Sequence, residues 1–318
     1  MRAEAILPTM LAILIVLIEP ACSVPVQDNE RGHWCIELNA QETLIMPEEI
    51  SAQRSEENET MDNSFKYIPV YSTSQIINGS LQELQNCGES NCSELSNKSL
   101  CLSPFSMNSF FSGLPDAAKV TRKSCAKLIP DGNWTNRSHF QITTAESGMY
   151  MAYAIKENIS KALAAAPLLI TEGRIILTAP VKVLSEEQYI QLKLNTTANV
   201  NSSKFFAAFM ISRRDYDNIS MSISKNESQE RSDLVLSING ESMELPGDSK
   251  ISSEILMNML PLLPQNSAVG LQESNENGVD LILLTDKPWT GGEYILTCCV
   301  YSPGKGLLGV AQSTIEII

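Results

Sequence analysis

The sequence predicts a mainly β protein: an antiparallel β-sandwich of immunoglobulin-like type, with one or two inserted helices and a flexible, disulfide-containing N-terminal region. Three observations carry this. Short runs between residues 188 and 301 alternate apolar and polar side chains and are separated by turn chemistry. A stretch near residue 150 has helical spacing instead. Residues 24–104 are polar and acidic and hold four of the eight cysteines.

The chain opens "MRAEAILPTMLAILIVLIEPACSVPVQ". Arg2 supplies a positive start, and residues 9–18 form an apolar core of signal-peptide length, too short to span a bilayer. Pro20 breaks the run and Ala21-Cys22-Ser23 places small residues at a cleavage site, so residues 1–23 are expected to be removed. No later segment has the length and apolarity of a spanning helix, and "GVAQSTIEII" lacks the hydrophobic tail of a lipid-anchor signal. The expected product is secreted and extracellular, without membrane insertion.

Residues 24–104 include "PEEISAQRSEENETMDNS", which offers little to bury. "CGESNCSELSNKSLC" then places Cys87, Cys92 and Cys101 in a serine-rich loop. Cys87-x4-Cys92 has no set of four ligands at zinc spacing around it, and the histidines are His33 and His139, so a stapled loop is expected and no metal or cofactor.

The folded domain is expected from residue 105 to residue 318. In "MYMAYAIKENISKALAAA", Met151, Ile155, Ile159, Ala162 and Ala166 share one helical face, and Pro167 would end the helix. This is the helical insertion, near 150–166. Beyond it, "QYIQLKL" puts Ile190, Leu192 and Leu194 on one face and Gln191 and Lys193 on the other. "FFAAFMIS", "DLVLSI", "VDLILL" and "YILTCCVY" extend the series, with Asn239-Gly240 and Gly291-Gly292 as turns. "SSEILMNMLPLL", residues 252–263, reads as a short connecting helix interrupted at Pro261.

Cys22 leaves with the signal peptide, so Cys35, Cys87, Cys92, Cys101, Cys125, Cys298 and Cys299 are the disulfide candidates. An odd number leaves one thiol unpaired or bonded to another chain, which allows a disulfide-linked homodimer. Adjacent residues on a strand point to opposite faces. One of Cys298 and Cys299 is therefore expected to close an internal bridge and the other to be the leftover.

Asn-x-Ser/Thr occurs at Asn58, Asn78, Asn91, Asn97, Asn133, Asn136, Asn158, Asn195, Asn201, Asn218 and Asn226. Chance would give about four such sites, so the excess indicates a heavily N-glycosylated chain. The formal charge of −14 argues against nucleic acid and anionic membrane surfaces as partners. A local exception is "KVTRKSCAK", where Lys119, Arg122 and Lys123 form either a docking patch for an acidic partner or a solvated loop. Trp289, after Pro288 in a Gly-rich turn, is either an exposed binding anchor or a cap on the sandwich core.

No Gly-x-Ser-x-Gly, phosphate-cradling glycine loop or His-Glu-x-x-His is present. Asp286 lacks the Asp-Thr/Ser-Gly order of an aspartic protease, and Glu186-Glu187 is an ordinary surface pair. The reading is a secreted binding protein for an extracellular protein or glycan, not an enzyme. The alternatives are a hydrolase with an unrecognised site and a disulfide-linked structural glycoprotein.

Residues 113–132, "GLPDAAKVTRKSCAKLIPDG", resemble the opening of a reeler domain, the module at the N-terminus of reelin, through Gly113, Pro115, Cys125, Leu128 and Pro130. "EEQYIQLKLNTTANVNSSKFFAAFMISRRD" is similar to that family's strand, loop and strand, with Phe206 and Phe209 near its aromatic-Gly-Phe motif and Ala208 in place of the glycine. "NENGVDLILLTDKPWTGGEYILTCCVY" resembles its closing strands. The resemblance spans roughly residues 108–318. It implies an extracellular β-sandwich that binds and does not catalyse, in adhesion, matrix or host defence.

Overall fold

The computed structural model describes residues 34–45, 49–52, 61–62, 67–83, 98–104, 124–130, 137–143, 146–156, 162–226, 231–238, 241–246, 264, 266–285, 288–303 and 305–318. The expected signal peptide and the 252–263 helix lie outside these residues. Among the described residues nearly all regular structure is strand, in five sheets. The chain divides into two compact units. One takes Leu44–Asp62 and Thr171–Ile318, and the other the described parts of Ala21–Thr43 and Asn63–Ile170.

The unit ending at Ile318 has a sandwich core. Its three-stranded sheet orders Ile175–Thr178, Tyr189–Thr196 and Gly278–Leu284. Its five-stranded sheet orders Lys182–Val183, Gly306–Ile317, Gly292–Ser302, Lys204–Ser212 and Ala268–Ser274. Ile190, Leu192, Leu194, Leu281 and Leu283 of the first sheet share one buried cluster with Phe206, Ala208, Met210, Leu296, Cys298 and Val300 of the second. Two antiparallel inner faces packed in this way are a β-sandwich. The strand runs read from the sequence in this part of the chain are all strands. Pairing within the two sandwich sheets is antiparallel except that Lys182–Val183 runs parallel to the end of Gly306–Ile317. A further sheet in this unit orders Glu241–Pro246, Arg231–Ile238, Ile219–Asn226, Glu49–Ala52 and Met61–Asp62.

The second unit is a sandwich of its own. Its four-stranded sheet orders Trp34–Asn39, Ile76–Glu83, Arg137–Thr143 and Ile129–Pro130. The six-stranded sheet orders Glu42–Ile45, Tyr67–Ser72, Ala164–Thr171, Gly148–Lys156, Lys98–Pro104 and Ser124–Lys127. Ile77, Leu81, Phe140 and Ile142 pack with Leu100, Leu102, Tyr150, Ala152, Leu168 and Ile170. Gly79 is fixed by this packing: a Cβ there would lie 2.3 Å from the Glu37 carbonyl oxygen and 2.4 Å from the Phe140 ring.

Two expectations are corrected here. Residues 148–156 and 164–171 form strands, not a helix, with Met151 opposite Pro167 and Ala154 opposite Ala164. Tyr150, Ala152 and Ala154 face one buried cluster while Met151, Tyr153 and Ile155 face another. A strand buried on both faces has a continuous apolar run, from which a 3.6-residue subset can always be drawn. Residues 24–104, expected as a flexible tail before a boundary near 105, supply strands to both sheets of this sandwich. The division at Ile170/Thr171 differs from that boundary.

Candidate functional site

Asn78, Asn195, Asn201 and Asn218 stand outside the cores. Asn78 lies on the central strand of the four-stranded sheet, opposite Asn39 and Gln141, with its side chain exposed between buried Ile77 and Gly79. Ser80, the sequon hydroxyl, is buried and donates to the Glu37 carboxylate at 3.1 Å. Asn195 is half-buried on the outer face of the three-stranded sheet, its Oδ1 close above Gly278. Asn201 is exposed in the loop before Lys204–Ser212, and its sequon hydroxyl, Ser203 Oγ, donates to Glu273. Asn218 is exposed at the C-cap of the short helix Arg213–Asp217. Asn226 ends a strand. Asn58, Asn91, Asn97, Asn133, Asn136 and Asn158 lie outside the described residues.

The cysteines differ from expectation. Cys101 and Cys125 are directly opposed on neighbouring strands and form a disulfide. Neither Cys298 nor Cys299 therefore bonds Cys125. Cys298 is a free thiol in the sandwich core, and Cys299 is buried on the opposite face. Burial pushes the Cys298 thiol pKa up, because a thiolate there would have no solvation. Tyr294–Val300 is buried on both faces of its strand, which is why two adjacent cysteines are both buried. The accessible free thiol among the described residues is the half-buried Cys35, whose pKa is raised by burial and then by the nearby Glu37 carboxylate. Cys87 and Cys92 lie outside the described residues.

Trp289 is not an exposed anchor. It is 3% exposed, belongs to the sandwich core, and meets Tyr294 edge to face with ring centroids 5.7 Å apart. Its backbone N–H donates to the Ser185 carbonyl at 3.0 Å, which holds the turn over the end of the core. Lys119, Arg122, Lys123, Asp286 and His33 lie outside the described residues. His139 is exposed on Arg137–Thr143. Among the described residues no three His, Cys, Asp or Glu side chains converge as metal ligands, and no helix is long and apolar enough to cross a membrane.

A buried polar cluster pins the segment at Leu44 and Ile45. Ser212 caps the helix Arg213–Asp217 by accepting the Asp215 N–H at 3.1 Å. The helix directs buried Tyr216 so that its hydroxyl donates to the Ile45 carbonyl. Gln312 Oε1 accepts the Ile45 N–H at 2.6 Å, and its Nε2 donates to Thr297 Oγ1 at 3.0 Å. Both backbone polar groups of Ile45 are thus satisfied by side chains. Nothing in the local sequence around Gln312 marks this role, because its partner is 267 residues away.

The surface that the sequence reading passed over is the outer face of the three-stranded sheet. Register puts Tyr189 opposite Leu284, Gln191 opposite Ile282, Lys193 opposite Asp280 and Asn195 opposite both Gly278 and Ile176. On this face Ile176 is 57% exposed, Tyr189 57%, Ile282 51% and Leu284 67%. The signal was present in "VDLILL", where the outward positions 282 and 284 are apolar and a half-buried strand would carry polar residues.

No protein-family model matches the sequence, and no curated protein matches it. Solved structures show distant likenesses. The D0-D1 domain of intimin shares 9% identity over 78% of this chain and 93% of that chain, with a TM-score of 0.23. Domains 5-6 of the S-layer protein SbsC share 10% over 78% and 92%, with a TM-score of 0.20. A glycosyl hydrolase family 2 member from Bacteroides cellulosilyticus shares 12% over 90% of this chain and 29% of that one, with a TM-score of 0.22. Scores this low fall short of a shared fold.

Proposed function

We propose that this is a secreted, N-glycosylated binding protein that acts through recognition of an extracellular protein or glycan, without a chemical step. The observation that carries the reading is the placement of the sequons: Asn78, Asn201 and Asn218 are exposed and Asn195 is half-exposed, and Asn78, Asn195 and Asn218 each adjoin a buried residue. A sugar can be carried only by an asparagine that the fold leaves accessible, and these four meet that requirement. The Cys101–Cys125 bridge supports passage through an oxidising compartment. Ser80 is enclosed in the folded sheet, so the sugar at Asn78 would be added before the sheet closes. The reeler resemblance implies the same class of function, in adhesion, matrix or host defence.

The test is expression in a eukaryotic secretory host, followed by site mapping with and without glycosidase treatment. The expected result is secreted protein lacking residues 1–23 and glycosylated at Asn78, Asn201 and Asn218. Retention inside the cell with unmodified asparagines would overturn the reading. Binding to immobilised glycans and to cell surfaces then separates the two partner classes.

A second reading, a disulfide-linked structural glycoprotein, is favoured by Cys35, which is partly accessible where Cys298 is closed off. Cys35→Ser would abolish a covalent dimer on a non-reducing gel. Persistence of that dimer would remove Cys35 as its link.

A further inference from the structure

We propose that the outer face of the three-stranded sheet is a two-fold, non-covalent contact with a second copy of this chain. It is an interaction surface separate from any cysteine link, and it does not rest on the proposed binding function. Register alone gathers Tyr189, Ile282 and Leu284 at one end of this face, each more than half exposed, with exposed Ile176 at the other end beside Asn195. Soluble chains rarely leave a patch of this kind open unless something covers it.

Charge selects a second copy as the occupant. The whole chain carries −14, a cost for self-association at most of its surface. The ladder positions of this face carry Lys193 and Asp280 as their ionised side chains, directly opposed across two strands. The face is therefore neutral. An axis lying in the contact plane, parallel to Tyr189–Thr196 and Gly278–Leu284 and midway between them, exchanges the two strands. It sets Lys193 over the second copy's Asp280 and Tyr189 over the second copy's Leu284. The face is self-complementary, as an isologous contact requires, and packing sheet on sheet in this alignment is ordinary.

Asn195 marks the rim. It lies six residues along the strand from Tyr189, roughly 20 Å away at strand rise. The position set over it by the axis is the second copy's Gly278, which has no side chain. A glycan at Asn195 would leave at the edge of the contact, and the apolar end at Tyr189, Ile282 and Leu284 would stay clear.

The experiment is sedimentation velocity on the glycosylated full chain over a range of about 1 to about 100 μM, the weak end for two-fold contacts. The expected result is a reversible dimer with a Kd on the order of 10 μM that runs as a monomer on a non-reducing denaturing gel. Ile282→Lys with Leu284→Lys should weaken it at least about tenfold, and Tyr189→Lys alone should do so where the double variant misfolds by circular dichroism. Lys193→Asp should weaken it too, and adding Asp280→Lys should restore it. A glycoprotein monomeric across the range overturns the proposal, as does a dimer indifferent to these changes. Dimerisation that needs Asn195→Gln overturns it as well, by making the glycan the occupant. A dimer that survives on the denaturing gel and is lost in Cys35→Ser belongs to the covalent reading and leaves this one refuted.

Discussion

The three-stranded sheet of the C-terminal sandwich and the six-stranded sheet of the other sandwich bury their side chains differently. Along Tyr189–Thr196 burial alternates for the first six residues, and along Gly278–Leu284 it alternates throughout. Along Ala164–Thr171 every residue is buried. The first sheet has one closed face, and the second has two, since Met151, Tyr153 and Ile155 are as enclosed as Tyr150 and Ala152. A sheet with one open face has a surface to use and a sequence that reveals its register. A sheet closed on both sides has neither, and its tolerance to substitution should differ accordingly.

The largest effect sharpens that contrast. Leu192→Ala, into the core, should cost roughly 2–5 kcal/mol, while Gln191→Ala beside it should stay within about 0.5 kcal/mol. In the doubly buried strand, neighbours should cost alike: Met151→Ala about 2–5 kcal/mol and Tyr150→Ala about 3–5 kcal/mol. Chemical denaturation of the four variants measures this, and a cheap Met151→Ala would break the comparison.

Next comes the bridge. Cys101–Cys125 closes a loop of sequence separation 24, so its removal by Cys101→Ala with Cys125→Ala should cost about 3 kcal/mol. The loss should fall on the N-terminal sandwich. In a Trp34→Phe, Trp134→Phe background, a loss that instead shifts the transition reported by Trp289 fluorescence contradicts the division into two units.

A smaller loss is expected at the Ile45 clamp. Gln312→Leu leaves the Ile45 N–H without its acceptor and should cost about 1–3 kcal/mol. Hydrogen exchange at Ile45 would report it, and unchanged protection there would show that the contact holds nothing.

The smallest effect is kinetic. Cys35 has a raised pKa, so at neutral pH it is held mostly as the thiol. Alkylation should be slower than for a free peptide cysteine and should climb about tenfold per pH unit until its raised pKa is reached. Glu37→Gln should speed it modestly, because burial is the larger cause and remains. A rate that is flat with pH would mean the sulfur is already ionised or bonded.

How much was legible follows the same contrast. The alternation of Ile190, Leu192 and Leu194 reads directly as a strand, and those residues are in the core. "MAYAI" showed no period of two because both faces are buried, and helical spacing together with alanine's helix preference then pointed the wrong way. The strand Ile76–Glu83 hid among polar residues because its inward positions are Ile77, Gly79 and Leu81, and the small glycine there is demanded by the Phe140 ring. The closure of Trp289 and the Cys101–Cys125 pairing depend on contacts between distant segments, which no local pattern encodes. The alternatives weighed from sequence did include Trp289 as a cap on the core, and that is where it lies.

Residues 44–62 belong with residues 171–318, although 108 residues of the other unit come between them. Their strand Glu49–Ala52 pairs in parallel with Ile219–Asn226, with Ser51 beside Ser222. During synthesis, Ser51 emerges first and its partner follows after roughly 10–35 s at about 5–20 residues per second. The intervening sandwich is complete by then and can close by itself. For that interval the early segment has Met61–Asp62 on one edge and an open edge on the other, a natural target for a chaperone. The N-terminal sandwich is therefore both begun first, at Trp34–Asn39, and finished first, while residues 44–62 wait for the rest of their own unit.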